Sequence, residues 1–390
     1  MTLDIANSLP VDWTRATLVG RAWMPAVDGP SVIRVTPDGV FDISRAAPTM
    51  SDLCNDPDPL ARVRAAKGER IGSVEELLAN SEAGSIDPMK PSLLAPVDLQ
   101  AVKACGVTFV TSMLERLVEE QAKGDPSKGD AIRAEIQKEI GTSLKALKPG
   151  SEEAMRLKEL LIKRGRWSMY LEVGIGPDAE VFTKCPPMAS VGTGAEIGIH
   201  PISTWNNPEP EIVMIVSGKG KIVGGSLGND VNLRDVEGRS GLLLGKAKDQ
   251  NASSAIGPFI RLFDEGYTLD DLRNTVVELR VDGLDQFVLE GASSVAEISR
   301  DLTDLVAQTI SRHHQYPDGV CLYSGTMFAP IKDRSKPGLG FTHALGDTVT
   351  IRAERLGALI NRVVHTDKAP PWTFGASALM RNLAKRGLLT

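Results

Sequence analysis

The sequence predicts an α+β protein, and two observations carry that expectation. Short strand-like runs recur along most of the 390 residues without the regular strand–helix alternation of a doubly wound parallel sheet. Strong helical periodicity is instead concentrated in one charged stretch that ends near Arg166, with one further helix later in the chain. The length is enough for at least one large core, and two domains are the default expectation.

Residues 1–95 are expected to form a small N-terminal β-rich domain. "ATLVGRAWMP" and "PSVIRVTPDGVFDIS" read as short strands with turns at "DGP" and "PDG". "GSVEELLAN" reads as a short helix capped by Ser73. "DPMKPSLLAPVD", rich in proline and without periodicity, reads as a linker into a second domain over 96–390. There "GVTFVTSMLERLVEEQAKG" passes from a strand-like opening into a helix. "AIRAEIQKEIGTSLKAL" and "EEAMRLKELLIKRG" continue as amphipathic helices, a helical insert over about 116–166 with a solvated outer face. Short strands return after it. A helix over "SSVAEISRDLTDLVAQTISRH" precedes a last strand section, "DTVTIRAERLGALINRVV".

Composition excludes several classes. The formal net charge is -6 and no basic stripe occurs, so nucleic acid is not an expected partner. No apolar run reaches the ~18 residues of a membrane span, and "MTLDIANSLPVDW" is not expected to be a signal peptide. Cys54, Cys105, Cys185 and Cys321 are widely spaced with no CxxC pair. They are expected to be free buried thiols of a cytoplasmic protein rather than zinc ligands or disulfides.

The stretch that draws attention is "NNPEPEIVMIVSGKGKIVGGSLGND", Asn206 to Asp230. In an extended segment Glu209 and Glu211 project from one face, and Pro210 suits the first residues of a strand. "EIVMIV" and "KIVGGS" flank a hairpin turn at "SGKG". Pairing about Gly218-Lys219 sets position 228 opposite 209 and Asp230 diagonal to Glu209, so three carboxylates converge. By spacing alone two readings stay open: a solvated strand face, or a site for a hard divalent cation that neutralises the three charges. With no histidine or cysteine nearby in sequence, Mg²⁺ or Mn²⁺ is expected over zinc.

Competing motifs fare less well. "GGSLG" matches the G-x-S-x-G elbow around Ser226, but turn-like "NDVNLRD" follows where that motif needs a helix. "GTGAEIG" has the wrong glycine spacing for a dinucleotide loop. His200 reads as an ordinary packed or surface histidine, and His313 and His314, at a helix end, point apart.

Taken in order, "PEPEIVMIVSG", "GNDVNLRD", "LLLGKAKDQNASSAIGPF", "YSGT" and "LGDTVTIRAERLGALINRV" resemble the fumarylacetoacetate hydrolase superfamily across roughly residues 105–365. The resemblance implies a mixed β-sandwich roll, a Mg²⁺ or Mn²⁺ ion, a small 2-oxo acid substrate, and a homodimer or homotetramer. Carried over motif by motif, it implies Glu209, Glu211 and Asp230 as metal ligands. It further implies Lys246 as the site lysine, Lys248 being the other register of "KAKD". Thr326 is placed at the substrate carboxylate, and Arg234 braces a ligand. "FVTSMLE" stands where the family carries Tyr-x-x-His-x-x-Glu, so Phe109 replaces the aromatic, Ser112 the histidine, and Glu115 matches the glutamate. Loss of the water-activating histidine points away from hydrolysis. "LEVGIGPDAEVFTK" and "LRDVEGRSGLLLGKAKDQNAS" look like the longer dehydratase members that act on 2-keto-3-deoxy sugar acids. The expectation is therefore a metal-dependent lyase forming 2,5-dioxopentanoate from a 2-keto-3-deoxypentonate, with Lys246 and Glu115 as base and acid in either order. An acylpyruvate-type C–C hydrolase and a non-catalytic binding protein are the alternatives.

Overall fold

The computed structural model describes residues 2–389 except 124, 130, 135–146, 166, 328–329, 331 and 335–339, and their side chains except at 110–112, 119 and 126. The N-terminal part contributes β1 (Leu18–Met24), β2 (Gly29–Thr36), β3 (Gly39–Asp42), β4 (Glu69–Gly72) and β5 (Ser92–Leu94). Then come β6 (Ala101–Gly106), β7 (Glu180–Cys185), β8 (Glu196–Ile199), β9 (Asn206–Asn207), β10 (Pro210–Val216) and β11 (Ile222–Asp230). β12 (Asn232–Leu233), β13 (Ser254–Leu262), β14 (Val276–Asp282), β15 (Val288–Ser294), β16 (Val320–Tyr323), β17 (Thr348–Ala353) and β18 (Gly357–His365) complete the strands.

One large mixed sheet runs β4-β3-β2-β1-β13-β11-β10-β16-β6-β7, and β5 also pairs with β1. A second runs β15-β14-β17-β18-β8, while β9 and β12 form a short separate ladder. Ladders are antiparallel except β16–β6 and β18–β8. Alternation along β10 explains the layering. Ile212, Met214 and Val216 share a core with Leu279, Val281 and Ile351 of the second sheet. Val213 and Ile215 face the other way, onto a core holding Met50, Leu53 and Val63. A strand buried on both faces reads as a continuous apolar run, which "IVMIV" is.

Mixed sheets with helices make this an α+β protein, as expected. The boundary near residue 95 does not separate two cores. β1 pairs with β13 over Leu18↔Arg261 and Val19↔Ile260, so the N-terminal strands extend the large sheet. The expected linker contains β5, which gives β1 an additional partner over residues 21–23. Hydrogen bonding of a sheet edge outweighed the proline-rich composition there. The capped helix is Val74–Ala79, with Ser73 and Glu76 forming a capping box. Of the expected helical insert, Val110–Ala122 and Glu152–Lys163 are helices. Much of "AIRAEIQKEIGTSLKAL" lies outside the described residues. The later helix is shorter than expected, Leu302–Thr309, because its first residues belong to β15.

Candidate metal centre

The β10–β11 hairpin positions the carboxylates. Pro210 pairs with Asn229 and Glu211 with Gly228, and the Asp230 amide donates to the Glu209 carbonyl at 3.1 Å. Asp230 therefore sits directly opposite Glu209, not diagonal to it. The turn is wider than a two-residue loop, since the Ser217 amide reaches the Lys221 carbonyl at 2.9 Å. A bulge also falls where Ile215 pairs with Gly224 but Val216 with Ile222. The net displacement is two residues, which preserves the face and brings the carboxylates closer. The Asn229 side chain accepts from the Glu209 amide at 3.0 Å and fixes the strand entrance.

One oxygen each from Glu209, Glu211 and Asp230 lies within 4.8 Å of the others, and all three residues are at most 1% exposed. Glu211 Oε2 accepts from the Gly325 amide at 2.7 Å, while Glu211 Oε1 is buried with no hydrogen-bond partner among the described residues. An orphaned buried oxygen costs on the order of 1–3 kcal/mol. Three convergent hard oxygen donors, one unsatisfied, fit a divalent cation. Burial pushes the Glu211 carboxyl well above its usual range, reinforced by Asp230 and Glu209. Burial likewise raises Glu209, against the pull of Lys248 and Arg116. At Asp230 burial opposes ionisation too, but Lys184 and Lys248 prevail and lower it.

Three buried cations enclose the carboxylates. Lys184 Nζ lies 2.8 Å from Asp230 Oδ1. Lys248 Nζ bonds Glu209 Oε2 at 2.5 Å and Asp230 Oδ2 at 2.9 Å. Arg116 joins Glu209 to Glu237, the second contact at 3.2 Å. Burial alone would lower Lys248, but Asp230 and Glu209 raise it overall. A narrow cavity is lined by Glu209, Asp230, Glu180, Glu237, Arg116, Lys248 and Thr326. Glu180 and Glu237 also line a more open pocket beside the helix Met169–Ile175. Burial lifts the Glu180 carboxyl to about 7, helped by Glu237 and opposed by Lys248 and Arg116.

The structure rearranges part of the expected site. Lys246 is exposed, with Nζ 3.2 Å from His200 Nε2, and Lys248 holds the carboxylates instead. On the short helix Leu244–Lys248, residues two apart point about 200° apart, so only one can face inward. Glu115 is buried but not in an apolar niche. Arg133 grips both its oxygens at 2.6 and 2.8 Å, and Arg234 approaches to 3.8 Å. Arg234 stacks over Trp205 at 4.2 Å and donates to the Pro330 carbonyl at 3.3 Å, bracing Glu115 and the segment after Thr326 rather than a metal-cluster carboxylate. Phe109 lies in the core, its backbone bridged to Ile298. Ser112 belongs to the helix Val110–Ala122, and its side chain lies outside the described residues. Ser226 is buried in β11 and donates to the Phe259 carbonyl at 2.9 Å. The four cysteines are free and buried.

Sequence reasoning missed Glu180, Lys184, Arg116 and Glu237. A signal existed for the first two: "EVFTK" places them four apart on one strand, hence on one face. Arg116 follows Glu115 directly, and helical geometry turns the two to different neighbours.

Residues 174–364 match the family described as fumarylacetoacetate (FAA) hydrolase C-terminal. A probable 2-keto-3-deoxyxylonate dehydratase of Haloferax volcanii is 30% identical over 195 residues, 50% of this chain and 63% of the relative. A 2-dehydro-3-deoxy-D-arabinonate dehydratase of Saccharolobus solfataricus is 32% identical over 199 residues, 50% and 62% respectively. The match thus spans just under two thirds of these relatives. Among solved structures, 2-keto-3-deoxy-D-arabinonate dehydratase complexed with magnesium and 2,5-dioxopentanoate is similar, with TM-score 0.62 at 19% identity over 90% of this chain and 99% of that one. A fumarylacetoacetate hydrolase from Exiguobacterium antarcticum gives TM-score 0.52 at 14% identity, over 90% and 100%. These two likenesses establish the fold. No helix among the described residues is long and apolar enough to cross a membrane.

Proposed function

We propose that this protein is a Mg²⁺- or Mn²⁺-dependent dehydratase that converts a 2-keto-3-deoxypentonate to 2,5-dioxopentanoate. The carrying observation is the cavity in which Glu209 and Asp230, two members of the Glu209–Glu211–Asp230 cluster, meet Lys248 and Glu180. The names of the two curated relatives, and of the structural neighbour bound to magnesium and 2,5-dioxopentanoate, support the choice of reaction.

Fully ionised, Glu180, Glu209, Glu211, Asp230 and Glu237 exceed Arg116, Lys184 and Lys248 by two negative charges, which a divalent ion offsets. When bound, the metal supplies Lewis-acid polarisation of the 2-oxo group, acidifying the C3 protons.

The remaining chemistry falls to the chain. Glu180, divided between its two protonation states near neutrality, takes a C3 proton. The Lys248 ammonium, held by Asp230 and Glu209, donates to the departing 4-hydroxyl. The C3–H and C4–O bonds break and water leaves. Transfer of a C5 proton to C3 gives a 5-enol, and its tautomer is 2,5-dioxopentanoate. Thr326, at the cavity wall, holds the substrate carboxylate in this reading. Each proton-transfer group contributes ~10²–10⁴-fold.

The test is incubation of purified protein and Mg²⁺ with C5 and C6 2-keto-3-deoxy acids, with products identified by mass. A dioxo acid that has lost one water and no carbon is expected. Cleavage of acylpyruvates to pyruvate, with the deoxy acids untouched, would overturn the proposal.

A further inference from the structure

We infer that Gly106 is a positioning residue, the seat that lets the Glu180 carboxyl lie across β6 and enter the metal cavity. Gly106 and Glu180 are cross-strand partners at the end of the β6–β7 ladder. A Cβ built on Gly106 would meet Glu180 Oε2 at 1.8 Å, Cδ at 2.6 Å and Cγ at 3.3 Å. No left-handed backbone angle explains this glycine, since Gly106 is absent from the positive-φ residues of the described chain. Space explains it, because the volume of a methyl group is filled by the neighbour's carboxyl.

The seat directs that carboxyl toward function. Both Gly106 and Glu180 line the narrow cavity, and Glu180 alone of the pair reaches the open pocket as well. The charged and titratable groups facing it are Glu237, Lys248, Arg116 and Glu209, with the Cys105 thiol beside the seat. The obstructed atoms are the far end of a flexible side chain, so an alanine at 106 is accommodated by swinging Glu180 away. The fold then survives while the carboxyl leaves its place. Misplacement by about 1 Å can cost ~10²-fold in rate.

The inference rests on the proposed reaction for its activity arm only. Gly106→Ala should lower kcat by ~10²-fold or more, within the range of losing a general acid or base. Added to Glu180→Gln it should cost nothing further, and Gly106→Ala/Glu180→Asp, one methylene shorter, should regain at least ~10-fold. A second arm needs no turnover. In substrate-free protein, the ¹³C carboxyl resonance and titration midpoint of Glu180 should shift in Gly106→Ala toward those of an exposed glutamate. An unmoved resonance, or equal losses from Gly106→Ala with and without Glu180, would overturn the seat. Were Gly106→Ala to unfold, Gly106→Ala/Glu180→Ala should be as stable as Glu180→Ala, and failure there would likewise overturn it. A wild-type chain inactive on every deoxy acid would sink the proposed reaction yet leave the resonance test standing.

Discussion

The β10–β11 hairpin and the elements packed around it supply opposite charges to one site, and they do so by different rules. The hairpin brings Glu209, Glu211 and Asp230 together through local geometry: period two, a short turn and one bulge. The cations come from elsewhere: Arg116 from the helix Val110–Ala122, Lys248 from the helix Leu244–Lys248, and Lys184 from β7, five strands from β11 in the large sheet if counted inclusively along its order. Their placement depends on how whole elements dock. The lesson is that a site can have one half dictated by neighbours in sequence and the other by tertiary packing, with each half useless alone.

The largest expected effect attacks the local half. Glu209→Gln or Asp230→Asn should reduce turnover below detection and abolish the rise in Tm on adding Mg²⁺, while circular dichroism stays native. Full activity after rigorous metal removal would refute the ligand set.

The docked half should break next. Lys248→Met removes the one cation that bridges Asp230 and Glu209 in a buried cavity, leaving Lys184 on the first and Arg116 on the second. Metal-free protein should lose ~3–5 kcal/mol in denaturant unfolding, and turnover should fall ~10²–10⁴-fold. Lys246→Met, on the exposed side of the same short helix, should stay within about twofold of wild type, as a surface change does. Equal effects of the two would erase the distinction between the lysines.

A pH prediction sharpens the comparison at Glu180. Its folded carboxyl is raised from the ordinary 4.5 to about 7, so between those values the folded state holds the proton that the unfolded state has released. Stability from this group is therefore present below pH 4.5 and lost as pH rises to about 7. Glu180→Gln should remove that slope. At pH 8 it should be more stable than wild type by roughly 1–3 kcal/mol, and near pH 4 indistinguishable from it. Parallel stability–pH curves for the two would show that Glu180 is not desolvated.

How much of this was legible follows the same division. Alternation in "PEPE" placed two carboxylates on one face, and the ordered motifs tied Asp230 to them. The expected register was two residues off because a turn one residue wider and a bulge each add one, and neither leaves a clear mark in "SGKGKIVGGS". That error was harmless, since a two-residue shift keeps the face. The lysine register in "KAKD" was different. Both lysines are polar, the helix is one turn long, and only its docking decides which points inward. Glu115 and Arg116 show the same limit, where one helical step separates a clamped carboxylate from a cation of the site. The N-terminal strands looked like a domain because a strand that pairs more than 240 residues away, as Leu18 does with Arg261, has no local signature.

The smallest effect concerns Ser226, where the sequence motif and the structure make opposite predictions. As a G-x-S-x-G nucleophile, its replacement by alanine would abolish activity. In the structure its hydroxyl is fully buried in β11 and donates to the carbonyls of Gly257 at 3.2 Å and Phe259 at 2.9 Å. A hydroxyl so committed stabilises the β11–β13 ladder, where the pairing is irregular between Gly225 and Leu227. Ser226→Ala should therefore cost about 1 kcal/mol in denaturant unfolding, the worth of an ordinary buried hydrogen bond, and leave kcat unchanged. The hairpin would keep its carboxylates, because the bonds that set their register are backbone bonds and the Asn229 side chain. A loss of turnover without loss of stability would instead return the serine to the chemistry, and with it the hydrolytic reading that the carboxylate cluster displaces.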